Sequence, residues 1–374
     1  MNVSIAMATY NGEQWLREQL DSLARQTLPP GELVISDDQS TDGTLEVVRQ
    51  FASTSPFPVR VVKNELRRGF ADNFINALRS CDCDAVAYCD QDDVWNATKL
   101  ERCVAAMQRD PSITLVHHDC EEVGDDLLPL GIILRTRSSL SGDEPMAHHR
   151  IIRHPAQGCS MLFHRRVVDA VLNYWPETNQ RNVAGGGLRG DLAHDIVTLH
   201  LASFLGKVVY LSDLLIKHRR HSRNTWSPEL ATSSRSRAAE FYGRVATLKG
   251  NARAEMVRAT MYDEMAERAK AAGDPATAGY LARIAERNLK SARFFSARGD
   301  LYSARSVAAR LARFSKMLQT GSYGNLEGGF ESVRCAFKDL AFALAGPMAA
   351  RFLEELRKQL HLDFDPRELF ESEK

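Results

Sequence analysis

Three carboxylates lie within four residues of one another, at Asp90, Asp92 and Asp93. They follow the apolar run 85–89, which is typical of a strand buried on both faces, and no basic residue comes after them before Lys99. Like charges this close repel one another unless a cation or several donors hold them. Mg²⁺ or Mn²⁺ binds one or two carboxylates and fills its other positions with water and phosphate oxygens. An Asp-x-Asp pair is what a diphosphate site with a divalent ion requires. Taken alone, however, such a tripeptide is more often a solvated acidic turn that caps the next helix.

Two other segments, 8–12 and 37–43, place polar side chains directly after apolar runs. A tyrosine ring can flank a base, a carboxylate can accept from its N–H, and a threonine hydroxyl can bond a ribose or a phosphate. The residues that supply such groups are Thr9, Tyr10, Asn11, Asp37 and Asp38. They predict a nucleoside site, although Asn-Gly and Asp-Gly are also strong turn formers.

The first 110 residues alternate apolar runs with amphipathic helical patterns. Strands are predicted at 3–9, 33–36, 59–62 and 85–89, with a helix after each of them. This alternation indicates an α/β protein whose mostly parallel sheet is covered by helices. The carboxyl ends of such strands meet at one edge, where open α/β sheets bind ligands. The three polar segments are therefore expected to converge on one crevice.

The following hundred residues continue the sheet with a weaker pattern. Strands are predicted at 115–118 and 158–163, and two short strands at 207–211 and 214–217. The stretch 121–146 is expected to be rich in loops.

The chain has 374 residues, which is long enough for two domains, and carries 48 basic and 48 acidic side chains. A mildly acidic part, residues 1–225 with 24 Lys+Arg and 29 Asp+Glu, precedes a basic part, 226–374 with 24 and 19. Seven scattered cysteines without a Cys-x-x-Cys pair indicate a reducing compartment. The sequence shows neither a signal-peptide pattern nor an apolar run long enough to span a membrane. We expect a cytoplasmic protein without a nucleic-acid partner.

Three motifs resemble, in order and spacing, those of the family 2 glycosyltransferases, which have the GT-A fold. They are Ala-Thr-Tyr-Asn at 8–11, Ser-Asp-Asp-Gln-Ser-Thr-Asp-Gly-Thr at 36–44 and Asp-Gln-Asp-Asp at 90–93. The resemblance implies a nucleotide-diphospho-sugar transferase domain with a Rossmann-like sheet. It also implies inverting transfer of a sugar from a nucleoside diphosphate sugar to an acceptor hydroxyl, with Mn²⁺ or Mg²⁺ held on the diphosphate by Asp90 and Asp92.

The longer sequence 88–95 is similar to that of rhamnosyltransferases of surface polysaccharide assembly. This similarity implies rhamnose as the sugar and a glycan or lipid-linked acceptor. One position departs from the family: many members carry Arg-Asn in the helix after the third strand, where this chain has Asp72 and Asn73. Arg67 or Arg68 is expected to replace the diphosphate contact of that arginine.

The reaction needs a general base, because an acceptor hydroxyl is a poor nucleophile until its proton is taken. The family places an acidic residue at the start of a late helix, which is predicted here at 191–206. The resemblance falls on Asp195, with Asp191 as the second candidate. The alternative is that both acids only stabilise the first helical turn through its dipole. The glycine-rich stretch 185–190 lacks a preceding strand and is expected to form a lid rather than a dinucleotide loop.

The basic run 218–224 resembles the His-x-x-Asn ending of the family's catalytic domain. His221 is therefore expected to ligate the metal or, together with Arg219 or Arg220, to neutralise the leaving diphosphate. The expected domains are 1–226, the glycosyltransferase domain, and 227–374, an all-α C-terminal extension. A non-catalytic nucleotide or sugar-binding module and a nucleotidyltransferase are the alternatives. The nucleotidyltransferase is disfavoured, because no Gly-rich loop with Lys or Arg for a triphosphate follows the first strand of this chain.

The C-terminal part carries features of a membrane-binding surface. Residues 235–320 hold 17 Lys+Arg against 8 Asp+Glu, on sequences with apolar helical stripes. Basic side chains of this kind are attracted to anionic bilayers. The stretch 337–353 mixes large apolar and basic residues and is expected to lie in the headgroup plane, so that the enzyme would act at the inner face of the membrane.

Overall fold

The computed structural model describes residues 1–134, 157–176, 193–221 and 237–325, with a few positions between 335 and 344. Within these ranges the chain forms one sheet and a series of helices. The strands are β1 (Val3–Thr9), β2 (Glu32–Asp37), β3 (Val59–Lys63), β4 (Ala85–Cys89), β5 (Val94–Trp95), β6 (Ile113–Val123), β7 (Pro129–Leu134), β8 (Met161–His164) and β9 (Lys207–Arg219). The helices are α1 (Glu13–Ala24), α2 (Thr44–Ala52), α3 (Phe70–Arg79), α4 (Lys99–Met107), α5 (Arg165–Tyr174), α6 (His194–Leu205), α7 (Arg237–Ala271), α8 (Pro275–Ser303) and α9 (Val307–Gln319).

The strands lie in the order β3-β2-β1-β4-β8-β6-β9-β5, and β7 pairs with β6. Strands β1 to β4 are parallel, as the alternation of strands and helices predicts. The sheet then changes direction, because β8 pairs antiparallel with both β4 and β6. The expectation of a mostly parallel sheet covered by helices is confirmed.

The register of β1 explains why the polar segments meet. Thr9 lies opposite Asp37 on one side, and Met7 lies opposite Cys89 on the other, so that Asp90 leaves the sheet at the same edge. Strands β1, β2 and β4 are almost entirely buried, and their apolar side chains form the core together with Leu16, Leu20 and Leu23 of α1.

Two expectations for the middle of the chain are wrong. Residues 121–123 extend β6, and 129–134 form β7, so this part of the expected loop is a hairpin. The two short strands expected near 207 and 214 are one strand, β9, whose pairing with β6 shifts register around Asp119. The irregularity lets one strand carry the interrupted apolar pattern that the sequence shows.

The chain divides into two compact units. The first holds the sheet, α1 to α6 and Met265–Ala278, and the second holds the other described helical residues. The expected boundary at 226 lies outside the described residues and stays a prediction. Within the described part of the chain, no helix is long and apolar enough to cross a membrane.

A buried polar network lies inside the second unit. Arg298 Nε donates to both carboxylate oxygens of Asp339 at 3.0 and 3.1 Å, and the hydroxyls of Tyr302 and Tyr323 donate to the same carboxylate at 3.0 and 2.8 Å. Phe342 stacks on Tyr302 at 4.1 Å and is only 4% exposed. The expectation that Phe342 lies in a membrane-facing stretch is therefore wrong, because its ring belongs to the core of this unit.

Candidate active site

The acidic turn 90–93 is held by the end of β9. Strand β5 pairs antiparallel with β9, which brings Arg219 under the turn. The Arg219 backbone N–H donates to Asp93 Oδ1 at 3.1 Å, and its Nε donates to the carbonyl oxygen of Asp92 at 2.8 Å. The guanidinium also donates to Glu18 and to the carbonyl oxygen of Asp125. Arg219 is 2% exposed, so it fixes the turn from inside the protein.

Asp92 and His221, which are expected from the sequence to ligate a metal, lie next to each other at this edge; their role as ligands stays a prediction. His221 Nε2 lies 2.9 Å from Asp92 Oδ2. The imidazole stacks on the Trp15 ring with centroids 3.7 Å apart and an interplanar angle of 12°. Trp15 is in turn fixed by its Nε1–H, which donates to Asp125 Oδ1 at 2.5 Å. The indole thus sets the plane in which His221 faces Asp92.

Burial gives the acidic turn unusual electrostatics. Burial, followed by the charges of Asp93 and Asp92, holds the pKa of Asp90 well above its usual range. Burial and the charge of Asp92 raise the pKa of Asp93 to about 7. Asp93 Oδ2 has no nitrogen or oxygen partner among the residues that the structure describes. A set of carboxylates and an imidazole with an orphaned buried oxygen fits a divalent cation, whose charge would stabilise the ionised forms.

Asp195 lies in the first turn of α6, near the acidic turn. Its carboxylate accepts from the backbone N–H groups of Ile196 at 2.7 Å and Gly158 at 3.2 Å. A Cβ at Gly158 would lie 3.3 Å from Asp195 Cβ and 3.0 Å from His194 Nε2, so glycine permits this close approach. Burial raises the pKa of Asp195 to about 6, and its charge also acts on Asp90. A carboxylate with these properties can take a proton near neutral pH.

The neighbouring His194 is not a competing base. Its ring stacks on Phe74 with centroids 4.0 Å apart and meets Tyr88 edge-on at 4.6 Å. Burial lowers the pKa of His194 to about 3, so the imidazole holds a proton too weakly to act as the base near neutral pH. Asp191 and the glycine-rich stretch 185–190 lie outside the described residues, and their expected roles as second candidate base and lid stay predictions.

The nucleoside candidates lie around one network at the ends of β1 and β2. Asp37 accepts from the Thr9 hydroxyl at 3.0 Å and from the Ser40 hydroxyl at 2.6 Å. The Asn11 backbone N–H donates to the Ser40 hydroxyl at 2.9 Å, with Asn11 in the left-handed region at φ 47°. Thr9 and Asp37 are buried at 1% and 0% exposure, so this network shapes the crevice from beneath.

Asp38 is bound to the turn before α3. Its carboxylate accepts from the backbone N–H groups of Arg68 at 2.7 Å and Gly69 at 2.9 Å, and from Asn64 Nδ2 at 3.0 Å. Gly69 has φ 83°, which favours glycine. Asp38 thereby fixes the basic turn 67–68 at the edge of the crevice.

A cavity of about 480 Å³ opens above these motifs, lined by Tyr10, Asn11, Trp15, Asp42, Gln91 and His221. Tyr10 is 36% exposed, and the Arg67 guanidinium lies 4.0 Å from its ring centroid. Gln91 joins two motifs, because its side chain accepts from the Tyr10 N–H at 2.9 Å and donates to the Tyr10 carbonyl at 3.1 Å. The cavity has an aromatic ring, polar groups and the His221–Asp92 pair on its walls.

The two cations expected at the diphosphate differ in their protein partners. The Arg220 guanidinium donates to Glu122 Oε1, with Nε at 2.9 Å, so its charge is already paired where the leaving diphosphate is expected. Arg68 has a buried Nε without a partner among the described residues. Asp72, which stands in the family's arginine position, accepts from Trp175 Nε1 at 2.6 Å. Asp72 thus holds Trp175, the residue that follows the last turn of α5.

Some residues of the site are absent from the sequence-based expectations. Trp15 has the spacing of a core residue in α1, and Gln91 is the variable position of an Asp-x-Asp motif. Cys159, whose thiol lies with the carboxylates of Asp90 and Asp93, falls in a segment predicted as a plain strand. The pairing of β9 with β5, which no local pattern reveals, brings Arg219 to the acidic turn.

The mixed sheet with an acidic crevice at its carboxyl edge defines a GT-A type transferase. Residues 4–172 match the sequence model of Glycosyl transferase family 2. The N-terminal part of the chain belongs to glycosyltransferase family 2.

Several individual proteins are similar to this chain. An uncharacterized protein of Mycobacterium tuberculosis is 25% identical over 255 residues, which is 66% of this chain and 67% of the relative. The dTDP-rhamnosyl transferase RfbG of Shigella flexneri is 35% identical over 102 residues, 26% of this chain and 35% of the relative. The crystal structure of S. aureus TarS 1–349 in complex with UDP-GlcNAc has a TM-score of 0.51 at 18% identity, covering 87% of this chain and 88% of that chain. This last likeness shows the fold.

Proposed function

We propose that this protein transfers a sugar from a nucleoside diphosphate sugar to an acceptor hydroxyl with inversion at the anomeric carbon. The observation that carries the proposal is the position of Asp195, a carboxylate with a pKa of about 6 at the same sheet edge as the acidic turn. The acceptor oxygen attacks the anomeric carbon while the bond from that carbon to the diphosphate oxygen breaks. Asp195 takes the proton that the acceptor hydroxyl loses, and the nucleoside diphosphate leaves with the bonding electron pair.

The residues that would hold a divalent ion in this reaction are Asp90, Asp92 and His221. When bound, Mn²⁺ or Mg²⁺ supplies positive charge for the diphosphate of the donor. Trp15 and Arg219 contribute by fixing His221 and the backbone of the turn, so the ligands are oriented before the donor arrives.

The nucleoside is proposed to occupy the cavity next to Tyr10, whose ring can flank the base. Asn11 and Asp42 lie on the same wall and offer polar groups to the ribose. Thr9 and Asp37 support this wall from beneath, and Asp38 places Arg68 at the rim. Arg68 is the better candidate for a phosphate contact than Arg220, because Glu122 already pairs with the latter.

Rhamnose is the proposed donor sugar, supported by the motif 88–95 and by the similarity to RfbG of Shigella flexneri, whose name specifies a dTDP-rhamnosyl transferase. A glycan or lipid-linked hydroxyl is the proposed acceptor. The alternatives are a non-catalytic sugar-binding module and a nucleotidyltransferase. The buried base candidate argues against the former, since a binding module has no need of one.

The proposed function is tested with a panel of nucleotide sugars. The full chain is incubated with dTDP-rhamnose, UDP-glucose, UDP-GlcNAc and GDP-mannose in the presence of Mn²⁺, and release of the nucleoside diphosphate is measured with and without acceptor glycans. We expect release from one donor to exceed that from the others, with stimulation by an acceptor. Release of pyrophosphate from a nucleoside triphosphate would favour the nucleotidyltransferase, and binding without turnover would favour the binding module.

We also propose that the basic C-terminal helices bring the protein to an anionic membrane. The proposal depends on the surplus of basic residues in 235–320, because Phe342 is buried in the core of the second unit and cannot contact a membrane. Each Lys or Arg near such a surface contributes about 1 kcal/mol, and salt screens this attraction. We expect the full chain to co-sediment with anionic vesicles at low salt and to be released at high salt. A truncation ending near Trp226 and neutral vesicles are the controls; equal, negligible pelleting of both chains would contradict the proposal.

A further inference from the structure

A thiol lies behind the acidic turn. Cys159, in the short 3-10 turn Gly158–Ser160, places its Sγ with carboxylate oxygens of Asp90 and Asp93 so that the three atoms all lie within 4.8 Å of one another. These three residues form the inner cluster. Cys159 and Asp93 are 3% and 1% exposed, whereas Asp90 is only partly buried. The inner cluster is therefore closed on the protein side and open toward the crevice through Asp90.

In the inner cluster the Cys159 thiol is a hydrogen-bond partner of Asp93, but no N–H or O–H group of the described residues reaches Asp93 Oδ2. Asp93 Oδ1 accepts from the Arg219 N–H at 3.1 Å, but Oδ2 has no nitrogen or oxygen partner among the residues described by the structure. A buried carboxylate oxygen without a donor costs stability unless a cation or a proton compensates it. The orphaned oxygen and the neighbouring thiol together point to a ligand that binds both oxygen and sulfur.

The ligand set differs from that of the outer pair, Asp92 and His221, in its chemistry. Mg²⁺ and Mn²⁺ prefer oxygen ligands, whereas Zn²⁺ and Cd²⁺ bind thiolates strongly. Two carboxylates and one thiolate with an open fourth position make a tetrahedral zinc site. Ligand atoms around a tetrahedral Zn²⁺ lie roughly 3.5 Å apart, so a cluster whose ligand atoms all lie within 4.8 Å of one another needs to contract by about an ångström at most.

We propose that the inner cluster binds a thiophilic divalent cation. This ion excludes Mn²⁺ or Mg²⁺ from the site formed by Asp90 and the outer pair, because both sites need Asp90. Binding forms a bond from the ion to Cys159 Sγ and releases the thiol proton to solvent. Lys99 Nζ donates to the Cys159 carbonyl oxygen at 2.7 Å, and the two carboxylates offset its repulsion of the ion. The neighbouring Cys120 thiol and burial hold the pKa of Cys159 well above its usual range, so the ion has to displace the thiol proton. Zn²⁺ is thus an inhibitor of the transferase. The inhibition rests on the proposed function, but the binding does not.

Cadmium is the probe, because a bond from Cd²⁺ to a thiolate has a charge-transfer band in the ultraviolet. The full chain is titrated with Cd²⁺ as wild type, Cys159→Ser and Cys83→Ser, the last removing a more accessible thiol at the opposite end of β4. We expect a saturable band in the wild type and in Cys83→Ser. Cys159→Ser should lose this band and bind Cd²⁺ about 10- to 100-fold more weakly, the loss that a weakened ligand sphere produces. Asp93→Asn, checked for native circular dichroism, should also bind more weakly.

A band of equal affinity in Cys159→Ser would overturn the proposal, as would the absence of any band from the wild type. Mn²⁺ should raise the apparent dissociation constant of Cd²⁺ in proportion to its concentration, and an unchanged constant would refute the sharing of Asp90. These readouts do not need turnover. If no nucleotide sugar is a substrate, the proposed function is wrong but the Cd²⁺ band persists. If the inner cluster does not bind Cd²⁺, the band is absent but turnover and its Mn²⁺ dependence remain.

Discussion

Asp195→Asn is expected to lower the transfer rate by about 10² to 10⁴-fold while donor binding stays within a few-fold of wild type. The amide keeps one of the two oxygens: the 2.7 Å bond from the Ile196 N–H can be retained, whereas the 3.2 Å bond from the Gly158 N–H goes to the other oxygen and is lost. The Ile196 bond allows the first turn of α6 to retain its geometry. The amide cannot accept the proton of the acceptor hydroxyl. Single-turnover transfer and donor binding by calorimetry measure the two effects separately.

The pH profile gives a second signature of this base. Burial raises the pKa of Asp195 to about 6 from the usual 3.8, so the base form is lost as the pH falls below about 6. In wild type, kcat/KM should fall about tenfold per pH unit on that side, and the limb should vanish in Asp195→Asn. The exposed Asp169→Asn is the matched control and should behave as wild type. If Asp191→Asn loses the rate and Asp195→Asn keeps it, the base is Asp191.

The same shift predicts that the loss of activity is not a loss of stability. A raised pKa means that the folded state binds the proton of Asp195 more tightly than the unfolded state does. Asp195 therefore adds most to the free energy of unfolding below about pH 4, and this contribution is lost as the pH rises to about 6. At pH 7 the buried carboxylate is therefore a cost. Asp195→Asn removes this cost but also loses the hydrogen bond from the Gly158 N–H, so its melting temperature at pH 7 should stay close to that of wild type.

Asp90→Asn and Asp92→Asn are expected to reduce metal-dependent turnover to background. Each change removes a negative charge that the divalent ion needs, and in the Asp92 variant the partner of His221 changes from a carboxylate to an amide. Replacing Asp92 should also lower the pKa of Asp90, because the charge of Asp92 helps to raise it. Turnover and Mn²⁺ binding, each measured as a function of Mn²⁺ concentration, test the assignment.

The exposed Asp126 in the turn between β6 and β7 provides the control for these variants, and Asp126→Asn should leave both measurements unchanged. Circular dichroism establishes that the variants fold. Near-normal turnover of both Asp90→Asn and Asp92→Asn at saturating Mn²⁺ would show that Asp90 and Asp92 do not hold the catalytic ion.

The parallel half of the sheet could be predicted because its signals are local. Each strand from β1 to β4 is a short apolar run followed by a helix, and the polar residues that follow β1, β2 and β4 must share an edge whenever the strands are parallel. The confirmed fold class depends on this periodicity. The candidate residues Thr9, Asp37 and Asp90 follow from it directly.

The antiparallel half could not be predicted in the same way, because its contacts join distant residues. The pairing of β5 with β9 brings Arg219 to Asp92, 127 residues away along the chain. Local patterns likewise give no reason for Asp38 to bind the backbone of Arg68 and Gly69, or for Trp15 to stack on His221. Such details depend on the three-dimensional register rather than on spacing in the sequence.

The change of strand direction at β8 has a consequence for synthesis of the chain. Strand β4 is fully buried and needs β8 on its open edge, but more than seventy residues separate Cys89 from Met161. During translation the parallel half can therefore form while β4 still exposes an unpaired apolar edge, and such edges promote association between chains. Ribosome pausing after β4 should favour aggregation, whereas release of the chain beyond β8 should suppress it.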